Sequence, residues 1–166
     1  MSLVTNYLSP SSFDVSIAKM PNVEFFIQTI NIPSIQSGPA ELQSTLKTLY
    51  NIPDRLVYSD LEMTFIVDEN MDNYREILSW LEGMGSPQAR GDQYRAKLAE
   101  VESFYSDITI IVRNSSKNPN LKFTFTNAFP TALGQIEFDV KQTEVTYATL
   151  DATFRYDSFA VELIES

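Results

Sequence analysis

Apolar and polar residues alternate along most of this chain, which is the pattern of β-strands with one buried face. Over residues 61–67, apolar side chains occupy every second position from Leu61 to Val67. Similar alternation predicts further strands at residues 13–18, 24–32, 108–113, 121–126, 135–140, 144–157 and 159–164. Because Met20-Pro21-Asn22 has the composition of a turn, we expect the first two of these to pair as a hairpin.

One segment changes to the helical period of 3.6. Apolar residues recur at i, i+3, i+4 and i+7 from Tyr74 to Leu81, which predicts an amphipathic helix over residues 73–84. Asn73 and Glu76 have the spacing of a capping box, and the glycines and proline that follow would end the helix. A second, short helix is expected within residues 86–106.

Two stretches follow neither period. Residues 1–12 end in Ser9-Pro10-Ser11-Ser12 and are predicted to form an extended N-terminal arm. Residues 33–60 contain Pro33, Pro39 and Pro53 and are predicted to be a long, mostly extended excursion. A loop of this length in a compact domain usually serves a function or is ordered by a partner.

The predicted elements define the fold class. One helix beside a series of antiparallel strands predicts a mainly β fold, an antiparallel β-sandwich or split barrel with one flanking helix. A chain of 166 residues with 43% hydrophobic residues can bury a substantial core, so we expect a single domain over residues 1–166.

Composition excludes several classes of function. The chain has no His and no Cys, so it lacks the side chains of Ser-His-Asp triads, cysteine nucleophiles, zinc sites of thiolates or imidazoles, and disulfides. Lys and Arg number 12 against 22 Asp and Glu, and the net charge of -10 opposes binding to nucleic acid or anionic membranes. Without a long apolar run or a secretory signal pattern, we expect no membrane insertion.

A calcium loop is the first candidate chemical site. Residues 68–72 match its first ligand positions, but Asn73 and Ser79 stand where the loop needs a Gly and a bidentate Glu. Side-chain oxygens directly before a helix have a simpler use, since they accept hydrogen bonds from its first amides. Helix capping is therefore the interpretation that we favour for this segment.

Carboxylate pairs are the second candidate. Asp68 with Glu69, or Glu137 with Asp139, would suit acid/base chemistry of the glycosidase kind. A chain with 22 acidic residues produces such pairs by chance, and Glu137, Asp139 and Lys141 alternate as on the solvated side of a strand. We predict no catalytic, cofactor-binding or metal-binding residues and expect that the protein is not an enzyme.

The excursion is more apolar than a solvent-exposed loop requires. Sheet edges need to be covered, and a partner subunit is one way to cover them. The alternative is that the segment packs on its own sheet, but we favour self-assembly. The candidate subunit-interface residues are Ile30, Ile32, Ile35, Leu46, Tyr50 and Leu56. An acidic, β-rich oligomer without catalytic residues indicates a structural role.

Short strings spread in order over nearly the whole chain add a family resemblance. They are Asn6-Tyr7-Leu8-Ser9-Pro10, Phe65-Ile66-Val67-Asp68-Glu69-Asn70, Asn73-Tyr74 with Trp80-Leu81, Ser116-Lys117-Asn118-Pro119-Asn120 and Phe129-Pro130-Thr131. In these strings the chain resembles the tail tube proteins of contractile-tailed bacteriophages, a family that includes the related baseplate tube initiators. Their order along the chain, rather than any single string, carries the resemblance.

The resemblance implies a structural virion protein. Hexameric rings of the chain would stack into a hollow tail tube inside a contractile sheath, with strands joining a continuous inner β-barrel and the tube serving as the conduit for DNA ejection. Implied partners are further copies of the chain, the tail sheath protein, the baseplate tube initiator and a tape measure protein in the lumen. The implied location is the virion tail, assembled in the bacterial host cytoplasm.

Within that assembly, residues on polar strand faces would line the lumen, and an acidic lining would let DNA pass without specific binding. The candidate lumen-facing residues are Lys122, Thr124, Glu137, Asp139, Lys141 and Thr153. The excursion over residues 33–60 would bridge subunits. Alternatives are a baseplate tube initiator or tail-terminal adaptor ring, a β-rich carbohydrate- or receptor-binding module, and a hydrolase that uses carboxylates alone.

Overall fold

The computed structural model describes residues 8, 11–20, 26–38, 40–43, 48–51, 55–85, 104–138 and 147–164. Within these ranges the chain forms strands and one α-helix, α1, over Asp72–Gly85. The strands are β1 (Phe13–Ile17), β2 (Ile27–Asn31), β3 (Ile35–Ser37), β4 (Ala40–Gln43), β5 (Thr48–Asn51), β6 (Leu56–Tyr58), β7 (Leu61–Ile66), β8 (Ser106–Arg113), β9 (Pro119–Leu133), β10 (Thr149–Arg155) and β11 (Ser158–Leu163). The expected mainly β class with one helix is confirmed.

The body of the protein is one antiparallel sheet with strand order β1-β8-β9-β10-β7-β2, and β11 also pairs with β9. The first half of β9 pairs with β8 and β11, whereas its second half pairs with β10. We call β1, β8, the first half of β9 and β11 the first wing, and the second half of β9 with β10, β7 and β2 the second wing. The long strand β9 therefore belongs to both wings, and the sheets are not closed.

Asn127 marks the change between the two halves of β9. Its φ of 54° is in the left-handed region, which Asn tolerates better than most residues. Its amide N–H donates to the Asp107 carboxylate over 3.2 Å, and its side-chain amide donates to the Asp157 carboxylate over 2.8 Å. Opposite Asn127, the break between β10 and β11 is bridged by the Asp157 amide donating to the Thr126 carbonyl. The partner of β9 thus changes from β11 to β10 next to Asn127.

A single cluster of buried side chains joins both wings. Phe125 comes from the first wing, Phe65 and Phe154 come from the second, and all three are fully buried. Burying an aromatic or aliphatic side chain of this size contributes about 1.5–3 kcal/mol relative to leaving it exposed. This cluster is the main source of stability for the body.

Helix α1 closes the core through its buried residues Ile77 and Trp80. The Trp80 ring lies 6.1 Å from the Phe154 ring, and its indole N–H donates to the Phe104 carbonyl over 2.7 Å. Of the predicted stripe, Ile77 is buried and Tyr74 and Leu81 pack against the core, but the other buried positions of the helix are Asn73 and Trp80, with Trp80 as a core anchor.

The start of the helix differs from the predicted capping box. Asn73 lies inside α1, is buried, and donates its side-chain amide to the Ile66 carbonyl over 2.7 Å. Asp68 caps the helix instead, because its Oδ1 accepts the Asn73 amide at 3.1 Å. Burial alone would raise the pKa of Asp68, but hydrogen bonds from the backbone amides of the segment outweigh it and lower the pKa.

The predicted hairpin between the first two strands is wrong. β1 pairs with β8 and β2 pairs with β7, so the two strands lie at opposite ends of the strand order. In the observed register Val15 lies opposite Ile110 and Ile17 opposite Ile108, so four apolar residues meet on the core face. A turn signal between two strands cannot outweigh that burial.

Two other boundaries differ. The strand predicted over 121–126 is part of the longer β9, and residues 135–138, predicted as strand, are not in a strand. Residues 139–140, 144–146, 86–103 and most of 1–12 lie outside the described residues, so predictions there are not tested. Ser106 is the first residue of β8, where the second helix was expected to end.

No helix among the described residues is long and apolar enough to cross a membrane.

Candidate assembly surfaces

The described residues of the excursion predicted for 33–60 form two short antiparallel ladders beyond the β2–β7 ladder. Ser34 and Ser59 link the first of these to the β2–β7 ladder, since the Ser34 amide donates to the Ser59 hydroxyl over 2.8 Å and the Ser59 amide donates to the Ser34 carbonyl over 3.1 Å. Beyond them β3 pairs with β6, and β4 pairs with β5. We call β3 to β6 the outer hairpin.

The outer hairpin exposes apolar side chains. Ile35, Leu56 and Val57 are 52%, 54% and 51% exposed, whereas every second residue of β7 is buried in the body. Ile35 lies opposite Tyr58 and Ser37 opposite Leu56, so Ile35, Tyr58 and Leu56 share one face. Apolar strands with no covering layer are typical of a surface that binds another protein.

A second apolar surface lies at the end of the first wing. Val161 and Leu163 of β11 are opposite Phe123 and Leu121 of β9, on the face that is buried further along the sheet. They are nevertheless 50% and 74% exposed. Among the described residues, β11 pairs only with β9, so its other edge has unpaired backbone groups. We call Val161, Leu163 and this edge the open end of the first wing.

Each wing also has a polar outer face. On the first wing, Thr124 lies opposite Thr109, and Lys122 lies opposite Glu162. The Arg113 guanidinium donates from Nε to the Asp14 carboxylate over 2.6 Å on the same wing.

On the second wing, the Thr64 hydroxyl donates to the Asp151 carboxylate over 2.7 Å, and Thr153 lies opposite Glu62. Hydroxyls and carboxylates predominate on this face. Its threonines present polar atoms without adding charge.

The predicted lumen-facing residues are divided by the structure. Lys122 and Thr124 lie on the outer face of the first wing, while Thr153 lies on that of the second. Glu137 is exposed outside any strand. Asp139 and Lys141 lie outside the described residues.

The predicted interface residues are also distributed over different environments. Ile35 and Leu56 lie in the outer hairpin, and Ile32 is 43% exposed where the hairpin leaves the body. Ile30 lies opposite Met63 and packs against the core. Tyr50 belongs to β5, and Leu46 lies outside the described residues. Sequence reasoning missed Val161 and Leu163, whose alternation resembles that of any core-facing strand.

The segment from 68 to 72, the candidate calcium loop, acts as a helix cap through Asp68. No group of three or more acidic residues in the described part of the chain is arranged to hold a metal ion.

Extensive exposed strand surface is the main feature of this molecule, and it is characteristic of proteins that build assemblies.

The chain belongs to the phage tail tube protein family, whose family model matches residues 3–162. The family resemblance seen in the sequence is confirmed, and the chain has a structural tail tube role. Proteins of this family are structural rather than enzymatic. No curated protein sequence matches the chain.

Solved structures show the same fold at low sequence identity. A chain of the sheath-tube complex of an extracellular contractile injection system, PVC, in the extended state is 17% identical, with 97% of this chain and 95% of that chain covered and a TM-score of 0.69. The anti-feeding prophage tube-terminating cap is 16% identical, with 99% and 96% covered and a TM-score of 0.69. The anti-feeding prophage baseplate is 14% identical, with 98% and 97% covered and a TM-score of 0.60.

Proposed function

We propose that copies of this chain form hexameric rings that stack into the tail tube of a contractile phage tail, through which DNA is ejected. The observation that carries the proposal is the outer hairpin, whose exposed apolar strands have no covering layer in the described single chain. Family membership supports it, because the family model is that of a tail tube protein.

The two apolar surfaces suit head-to-tail assembly. The outer hairpin and the open end of the first wing are different patches on one subunit, and a contact between unlike patches generates rings or stacks rather than a closed pair. Ile35, Leu56, Val161 and Leu163 are each half or more exposed and would be covered by neighbouring subunits. In this proposal the whole of residues 1–166 acts as one tube domain, with residues 1–12 and 33–60 bridging subunits.

The lumen lining is a separate part of the proposal. Lys122 and Thr153 lie on the outer faces of different wings. We propose that one of these two faces lines the channel. The chain has no Cys, so a single Lys122→Cys or Thr153→Cys variant carries one thiol. In assembled tubes, a bulky maleimide should label the lumen-facing variant slowly and the other quickly. Equal, fast labelling of both would show that neither face lines the channel.

The tail sheath protein, a tube initiator and a tape measure protein are the proposed partners, and the proposed place is the virion tail, built in the host cytoplasm. Sheath contact is supported by the similarity to a chain from a sheath-tube complex. Assembly on a baseplate is supported by the similarity to a baseplate protein. We propose that the chain has no catalytic activity, in keeping with a structural family.

A single terminal ring is the second candidate function. The similarity to the anti-feeding prophage tube-terminating cap supports it. A terminator or initiator would form one ring, whereas a tube protein would repeat along the tail. Quantitative mass spectrometry of purified tails separates the two by copy number per particle.

Electron microscopy of the purified, concentrated protein tests the leading proposal. Images would be taken at low and raised salt, because salt screens repulsion between acidic subunits. Hollow tubes or rings with sixfold symmetry are expected, with more tubes at raised salt. If the protein stays monomeric even when purified baseplates are added, the tube proposal is wrong.

A further inference from the structure

The outer hairpin meets the body at one junction that involves two distant parts of the chain. Ser59 and Asp60 connect β6 to β7. Together with Tyr58 at the end of β6, they contact three residues at the end of β10 and the start of β11, which are Arg155, Tyr156 and Phe159. We call this set of contacts the root junction. Tyr58 shares a strand face with Ile35 and Leu56, but Ser59, Asp60, Arg155 and Tyr156 belong to neither apolar surface, so the proposed assembly does not account for their contacts.

A buried tyrosine supplies the central contact of the root junction. The Tyr156 hydroxyl donates to the Ser59 carbonyl over 2.9 Å, and the residue is only 9% exposed. Its ring packs edge-on against Phe125 at 5.0 Å and Phe159 at 6.0 Å, so the hydroxyl is held by the core itself. Ser59 also forms two hydrogen bonds with Ser34, which precedes β3. Through Ser59, Tyr156 therefore connects both β3 and β6 to the body.

Two further contacts flank the hydroxyl. The Tyr58 ring packs edge-on against the Phe159 ring with centroids 5.7 Å apart, so β6 lies against β11. Arg155 and Asp60 form an ion pair at 3.6 Å, which is exposed and contributes little by itself. The three contacts lie side by side, and a tilt of the hairpin away from β11 would break the hydrogen bond or separate the rings.

We infer that the root junction is a positioning device, in which Tyr156 and Phe159 fix the direction of the outer hairpin in the free subunit before any partner binds. A two-stranded hairpin is only marginally stable by itself, so an unclamped one would sample many directions. Holding it in one direction removes part of the ordering cost of later binding. The positioning itself is a property of the single chain, and only its benefit to assembly rests on the proposed function.

Distance measurements between two spin labels on the free subunit test this inference. With no native Cys, Gln36→Cys on β3 and Ser115→Cys in the exposed β8–β9 turn place one label on the hairpin and one on the body. The parent should give one narrow distance distribution. Tyr156→Phe keeps the ring but removes the donor, and it should broaden the distribution, because a hairpin that loses part of its support samples more directions.

Tyr105→Phe is the matched control, because it removes a tyrosine hydroxyl from a residue that packs on Phe129 and not on the hairpin. Hydrogen exchange gives a second readout: amides of β3 and β6 should exchange about fivefold faster in Tyr156→Phe, with little change in β8. A broad distribution in the parent, or an unchanged width in both Tyr156→Phe and Phe159→Leu, would overturn the inference. These outcomes concern the monomer, so a failure to form tubes tests only the proposed function.

Discussion

Replacing the apolar residues of the outer hairpin should weaken assembly without unfolding the subunit. Ile35 and Leu56 share one face and are 52% and 54% exposed in the single chain. Full burial of such a side chain is worth about 1.5–3 kcal/mol, so covering the exposed half of each contributes about 1 kcal/mol. The double variant Ile35→Ser with Leu56→Ser would then lose about 2 kcal/mol per subunit, which corresponds to about a thirtyfold higher critical concentration for assembly.

Pelleting of polymer over a series of protein concentrations measures that critical concentration. Gln36→Ser is the control, since Gln36 is on the same strand but pairs with Val57 on the opposite face. Urea unfolding of the monomer should fall by no more than about 2 kcal/mol, because the covered half of each side chain contributes about 1 kcal/mol to the single chain. An unchanged critical concentration in the double variant would refute the assignment of this face to a subunit contact.

Three further predictions concern the body. Asp68→Ala should cost about 1 kcal/mol in urea unfolding at neutral pH. Because the folded pKa of Asp68 is lowered, its contribution is complete above the unfolded pKa and is lost as pH falls through the folded pKa, so the variant should lose less stability than the parent on acidification. Gly134→Ala should cost about 1–3 kcal/mol, because a Cβ would meet the Asp151 carbonyl at 3.0 Å, whereas the control Gly38→Ala has open space and should be neutral. Trp80→Phe should lower stability by about 1 kcal/mol in thermal unfolding, since it removes an indole donor from a backbone carbonyl.

Local pattern was enough to predict individual elements, because burial on one face leaves a period that can be seen in the sequence. The alternation over residues 61–67 and the helical spacing after Tyr74 both correspond to observed elements. Pairing between distant strands leaves no such period, and the hairpin predicted from Met20-Pro21-Asn22 was therefore wrong. The change of pairing at Asn127 was missed for a similar reason, since one residue with a left-handed φ and hydrogen bonds to two aspartates leaves no repeat.

The candidate surfaces were predictable in part. The apolar excess of residues 33–60 indicated a surface that needs covering, and Ile35 and Leu56 are indeed exposed. Prolines in that segment obscured the paired strands, because they suggest loop rather than ladder. Alternation on β9 showed that Lys122 and Thr124 share a polar face, but it carried no information on which wing that face belongs to or where Thr153 would lie.

The sharing of β9 between two wings has a consequence for folding. β1 pairs with β8, and β7 pairs with β10, so the body forms only when segments far apart along the chain come together. Topologies of this kind fold in milliseconds to seconds, more slowly than those with local contacts. β3 and β6 are joined through near neighbours and can pair earlier. During synthesis the apolar hairpin would exist before the wings that support it, and slower expression at lower temperature should raise the soluble yield of subunits.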